Sequence, residues 1–339
     1  MMLNTLWFIL IAVLFIGFLF LEGFDYGVGM LLRILTREDH ERRAIINTIG
    51  PVWDANEVWM ITAGGAMFAA FPHVYATLFS GFYLALVLLL GALIMRGLGF
   101  EFRSKEENPR WRNAWDWAIF VGSLVPALLW GVALSNLIRG VPVDRDMHYV
   151  GTLFDLLNPY ALLGGINMVV AFLLHGALFL GMKLEGSLQE RACRFAERLW
   201  PWTTGLFFLF IVYGYFETDF VQHVGVNPGV IPVLGVLSLL SSGYFIRRRD
   251  HGKGFVLVAL SVVFITATLF VALYPRLIVS SLNPDWSLTI YNAASSPYTL
   301  RVMLIITLIL LPIVLLYQGW TYYTFRHRIR ADRPEEMVY

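Results

Sequence analysis

Four carboxylic acids stand within or at the edge of runs that are otherwise apolar: Glu22 and Asp25 in LEGFDYGVGM, and Asp54 and Glu57 in PVWDANEVWMITAGGAMFAAF. Each pair is three residues apart, which puts both side chains on one face of a helix. On insertion scales a charged side chain in hydrocarbon costs roughly 2.5 to 3.5 kcal/mol, so such acids persist only if protonated, paired or facing a polar cavity. The chemistry open to them is proton exchange, ion pairing, or both. Arg96, at the end of a later apolar run, is a candidate charge partner, and Asp116 adds a fifth acid.

Local structure offers competing explanations. Asp54 and Glu57 follow Pro51 in the first turn of a helix, where anions stabilise free amides and the dipole. Glu22 and Asp25 lie near the C-terminal end of their run, where the dipole disfavours anions. For them the competing explanation is an ion pair with Arg33 or Arg96.

The elements that position these acids follow from composition. A chain of 339 residues that is 58% hydrophobic and 14% charged departs from soluble domains, where charged residues run near a quarter. It reads as an all-α, polytopic integral membrane protein. Apolar runs of about 20 residues give nine expected spans, at 4–32, 51–71, 75–98, 115–138, 159–182, 202–221, 230–246, 254–275 and 298–322. No Lys or Arg precedes the first run and no small-residue cleavage site follows it, so it is expected to stay as a span. The expected arrangement is a single membrane domain: a four-helix bundle over 4–138 carrying the acids, a second over 159–275, and a ninth, peripheral helix at 298–322.

Basic residues alternate between the connections. Twenty-one of the twenty-five fall on one side, and only Arg139, Arg145, Arg276 and Arg301 on the other. By the positive-inside rule the N-terminus is outside and the C-terminus cytoplasmic. Glu22, Asp25, Asp54, Glu57 and Arg96 then all lie toward the cytoplasmic side.

Other residues carry less chemistry. The single cysteine, Cys193, excludes an intramolecular disulfide and any thiolate-built metal or iron–sulfur site. Among seven histidines only His175 falls within a span; His40, His251 and His327 are expected on the cytoplasmic side, His148 and His223 on the outer, and His73 in a turn after Pro72. A haem held between helices needs axial ligands at matching depth, and no such pair is visible, so no redox cofactor or metal is expected in this chain. Glu217 and Asp219 read as a solvated helix end, while Gly23 with Gly27, and Gly64 with Gly65, read as close helix packing. A secondary transporter or a purely structural subunit would also bury acids; the first would place them near the midplane of inverted halves, and in the second they would be ion-paired.

The motifs GFDYGVGML at 23–31, ERRAIINTIGPVWDANEVWMITAGGAMFAAFP at 41–72, SGFYLALVLLLGALIMRGLGFEFRSK at 80–105 and RWRNAWDWAIFVGSLVP at 110–126 resemble subunit II of the cytochrome bd quinol oxidases. NLIRGVP at 136–142, LLNPYALLGG at 156–165, LNPDWSLTIYNAASSPYTLRVM at 282–303 and PIVLLYQGW at 312–320 extend the resemblance over nearly the whole chain. It implies a haem-free, nine-helix subunit of a bacterial cell membrane, packed against a homologous subunit I that carries b-type haems and haem d. That complex oxidises quinol and reduces O2 to water with cytoplasmic protons. Small accessory subunits and a bound quinone or lipid are compatible with it. Subunit II stabilises the assembly and supplies part of a proton path, which the resemblance carries to Asp54 and, second, to Asp25. Gln can stand in the family where this chain has Glu57.

The charge asymmetry makes a topological prediction. Cys193 and a cysteine placed at Lys253 should label from the cytoplasmic side, and one placed at Arg145 from outside. Labelling of positions 145 and 253 from the same side would overturn the orientation.

Overall fold

The computed structural model describes residues 2–219, 229–332 and 337. Residues 220 and 221 of the expected sixth span, His223 and Arg333 lie outside the described residues. The chain is almost wholly helical: α1 Met2–Leu35, α2 Asp39–Ile49, α3 Trp53–Ala70, α4 Pro72–Gly81, α5 Tyr83–Phe102, α6 Pro109–Arg139, the single turn α7 Leu153–Leu156, α8 Pro159–Lys183, α9 Gly186–Glu217, α10 Val230–Arg247, α11 His251–Leu273 and α12 Pro297–Thr324.

Eight of these, α1, α5, α6 and α8 to α12, are long and apolar enough to cross a membrane. The expected span at 51–71 folds as α3, but Asp54, Asn56 and Glu57 in its first turns keep its 18 residues outside that group. The expected span at 75–98 is divided between α4 and α5. The Phe82 N–H donates to Leu78 and its carbonyl accepts from Leu86, so helical bonding continues across the joint.

Several helices outrun the bilayer. At about 1.5 Å per residue, α1 spans roughly 50 Å against about 30 Å of hydrocarbon. The polar first half of α9, with Arg191, Arg194 and Arg198, continues through Pro201 into its apolar half. Residues 39–49, expected only as a connection, form the short helix α2, whose Ala44, Ile45, Ile46 and Ile49 are buried. A capping box between Glu38 and Glu41 starts it, satisfying free amides at its N-terminus.

α1 is central, packing on α3, α6, α8 and α11, and also touching α12. Its contact with α8 is backbone against backbone. A Cβ on Gly27 would sit 2.0 Å from the Phe172 carbonyl oxygen and 2.9 Å from the Gly176 Cα, and one on Gly176 would meet the Gly27 backbone. The expected packing role therefore holds for Gly23 and Gly27, since a Cβ on Gly23 would meet the Phe172 ring at 2.6 Å. It does not hold for Gly64 and Gly65, where a Cβ would meet nothing within 4 Å in this chain.

The end opposite α2 carries a small departure from all-α structure. β1 Arg276–Ile278 pairs antiparallel with β2 Leu288–Thr289, and Val141 bridges Ser280. Glu217 and Asp219 are not simply solvated: Arg139 Nε is 3.1 Å from Glu217 Oε2, and Arg276 Nη1 is 2.6 Å from Asp219 Oδ2. Cys193, expected to be labelled, is 6% exposed, so the introduced thiols must carry that test.

Gly27→Leu should force α1 and α8 apart. Overpacking typically costs about 1 to 3 kcal/mol or more, and backbone as the obstacle places this site at the high end. The expected readout is a lower melting temperature and less assembled protein. Wild-type stability would contradict the packing.

Candidate functional site

The buried acids of α1 meet the cation of α5. Glu22, Asp25 and Arg96 are each 0% exposed. Arg96 Nη1 donates to Glu22 Oε1 and lies 3.6 Å from Glu57 Oε2, whose side chain is 16% exposed. The guanidinium also rests over the rings of Tyr26, at 4.8 Å, and Phe100, at 5.4 Å, a favourable geometry for a desolvated cation. One arginine thus faces two carboxyls directly, with a third, Asp25, on the next turn of the same helix as Glu22.

Asp25 takes its hydrogen bond from an amide. Asn56 Nδ2 donates to Asp25 Oδ2 at 2.7 Å. The Asn56 carbonyl oxygen accepts from Tyr322 OH at 2.8 Å and from Gln318 Nε2 at 3.1 Å, while Trp59 Nε1 donates to Gln318 Oε1 at 3.0 Å. The network therefore joins α1, α3 and α12, and Gln318 is one of only two buried residues described on α12. Among the described residues, the Tyr26 hydroxyl and Arg96 Nε and Nη2 are buried without a hydrogen-bond partner, leaving donors available within the cluster.

Asp54 is set apart from this network. It is exposed on the surface of the chain, in the first turn of α3, and Val52 at the helix start makes no side-chain capping bond. The structure brings Glu22, Asp25, Glu57 and Arg96 together and leaves Asp54 one helical turn before Glu57. Arg33 is elsewhere, donating to Asn113 Oδ1 at 2.9 Å and stacking over Trp117.

A second charged network closes the end of the bundle near α2. Asp116 is fully buried and held by Arg103 Nε at 2.6 Å and Arg42 Nη1 at 3.1 Å. Arg103 Nη2 also reaches Asp39 at 2.6 Å, and Arg112 reaches the other Asp39 oxygen at 2.7 Å. Burial pushes the Asp39 carboxyl up, but the hydrogen bond and charge of Arg103, with Arg112 and Arg42, hold it below the usual carboxylate range. Glu41 is likewise held low: burial is outweighed by hydrogen bonds from the Arg37 and Glu38 amides and from Arg191. With its acids paired, this network ties α2, α6, α9 and the turn after α5 together.

A haem does not fit at His175. The ring is fully buried, its Nε2 lies 3.1 Å from the Phe20 carbonyl oxygen, and it stacks on Phe255 at 4.7 Å with Phe24 at 5.8 Å. With Nε2 against the Phe20 carbonyl, and with Nδ1 fully enclosed and unpartnered among the described residues, neither ring nitrogen faces open space for a macrocycle. His73, expected in a turn, is exposed in the first turn of α4.

Arg96→Gln removes the cation that touches Glu22 and Glu57. Breaking a buried pair from one side costs about 3 to 5 kcal/mol, so the variant should assemble poorly. Adding Glu22→Gln should restore part of the loss, because it removes the stranded charge. Full assembly of Arg96→Gln alone would contradict this energetic role.

Comparison with known proteins matches the chain to one family. The model of cytochrome bd terminal oxidase subunit II matches residues 3–325. The chain is 42% identical over 332 residues to cytochrome bd ubiquinol oxidase subunit 2 of Bacillus subtilis, covering 98% of both chains. It is 40% identical over 366 residues to cytochrome bd-I ubiquinol oxidase subunit 2 of Escherichia coli, covering 98% of this chain and 97% of that one. In fold it is similar to a chain of the bd oxidase from Geobacillus thermodenitrificans, with a TM-score of 0.77 at 20% identity, over 96% of this chain and 99% of that one. A match that runs through α1, α3, α5 and α12 takes in every helix of the buried acid cluster, and the chain belongs to the cytochrome bd terminal oxidase subunit II family.

Proposed function

We propose that this chain is the haem-free subunit II of a bd-type terminal oxidase that oxidises quinol and reduces O2 in a bacterial cell membrane. It packs against a haem-bearing subunit I, with room for small accessory subunits, and contributes a route for cytoplasmic protons. Family membership at about 40% identity over nearly the full chain supports the first part. The absence of space for a macrocycle at His175 supports assigning haem to the partner, where it would supply the oxygen chemistry.

In this reading α3 is a ninth crossing, the N-terminus is outside, and the helices of 4–138 and 159–275 form two four-helix bundles beside α12. The 21 to 4 distribution of basic residues supports the orientation.

The observation that carries the proton route is the imbalance of charge in the cluster: Glu22 and Glu57 share the single guanidinium of Arg96, and Asp25, one turn from Glu22, is bonded to the neutral amide of Asn56. One cation neutralises one carboxylate. A carboxyl beyond that number is stabilised by holding a proton, and a group that gains and loses one is a relay. Asp54, exposed and one turn from Glu57, is the surface acid of the route; Asp25, held by Asn56, is the buried one. Glu22 and Glu57 flank Arg96 and set the local charge. The structural-subunit alternative explains Glu22 through its ion pair but leaves Asp25 bonded to a neutral amide.

Asp54→Asn and Asp25→Asn keep side-chain volume but cannot titrate. Each is expected to leave assembly and haem content of the complex near normal, to slow oxygen consumption several-fold, and to delay proton uptake in single-turnover experiments. Wild-type oxygen consumption per haem in both variants would return the route to subunit I.

A further inference from the structure

A cavity of about 250 Å3 lies where the ends of α2 and α8, the start of α3 and the chain after α12 meet. Its lining includes Lys183, His327 and Arg328 together with Asn47, Thr48 and Thr324, and among the described residues contains no aspartate or glutamate. The walls are built by specific bonds. The Ile329 N–H donates to the Lys183 carbonyl at 2.8 Å and the Glu185 N–H to the Ile329 carbonyl at 3.2 Å, while Lys183 Nζ donates to the Phe325 carbonyl. These bonds strap residues 325–329 across the end of α8.

Two basic side chains share this cavity, and among the described residues neither Lys183 nor Arg328 forms an ion pair with a carboxylate. Asp39 and Asp116 are committed to Arg103 and Glu41 to Arg191, while Glu190 and Asp250 line a neighbouring cavity that Arg328 also borders. Basic pockets between transmembrane helices are sites where phosphate headgroups bind, and arginine offers a fork that matches phosphate oxygens. Phe179 and Val52 give the same cavity an apolar side. Its volume is below the roughly 300 to 1,000 Å3 of pockets for drug-sized ligands, which favours a headgroup over a nucleotide.

We propose that this cavity binds a phosphate-bearing anion, held between Lys183 and Arg328. The phosphate belongs either to an anionic lipid headgroup or to the free ion. The site is separate from the acid cluster, although Tyr322, which bonds to Asn56, also borders it.

The test uses the assembled complex and counts bound phosphorus species by native mass spectrometry, after exposure to phosphatidylglycerol or phosphatidylcholine vesicles and, separately, to inorganic phosphate. Preferential retention of phosphatidylglycerol that is lost in Lys183→Gln/Arg328→Gln identifies the lipid headgroup. Retention of inorganic phosphate lost in the same variant identifies the free ion. Thr324→Glu places a carboxylate at the cavity with both cations kept, and should lower the same binding several-fold even if the double variant does not assemble. Equal binding of every probe by the wild type and whichever of these variants assemble overturns the proposal.

Discussion

The structure depends on one buried cation. Arg96 has left water entirely, and the idealised cost of moving such an ion into a low-dielectric interior is of order 20 kcal/mol before relaxation. Its compensation comes from Glu22 on α1 and Glu57 on α3, with the faces of Tyr26 and Phe100 beneath it. The pair fixes the relative positions of α1, α3 and α5. Gly27 and Gly176 then bring α8 against the other side of α1, so that the charged cluster is enclosed by helices and kept from lipid.

Enclosure and chemistry are linked. A fixed guanidinium surrounded by more carboxyls than it can neutralise is a setting in which a proton can be held and passed on. The amide of Asn56 orients Asp25 without contributing charge, and Tyr322 and Gln318 of α12 orient Asn56 in turn. The network around Asp116 has the opposite balance: three arginines meet two aspartates, every carboxylate is paired, and its part is to clamp helix ends.

Much of the site was legible because a charged residue in an apolar run is conspicuous. Glu22, Asp25 and Arg96 stand out for that reason, and an ion pair of Glu22 with Arg96 is among the arrangements that their positions in the sequence allow. Asn56, Gln318 and Tyr322 did not stand out, since neutral polar residues are common in membrane helices and Gln318 lies 262 residues from its partner Asn56. The paired state of Asp39, Asp116 and their arginines was hidden for another reason: charges near helix ends read as topology. Spacing placed Asp54 with Glu57, yet depth within the fold separates them, because the first turn of α3 reaches the surface while Glu57 turns toward Arg96. Helix α2 was missed because its apolar residues number too few to register as a span, although they are enough to bury one face.

The central claim is that carboxyls of this cluster change protonation while the complex turns over. Time-resolved infrared difference spectroscopy on the assembled oxidase, started by oxygen, observes this directly through the C=O stretch of a protonated carboxyl. The account predicts a carboxyl band that changes during turnover and is lost or shifted in Asp25→Asn. A spectrum without any carboxyl change, or with a change identical in wild type and Asp25→Asn, would contradict it.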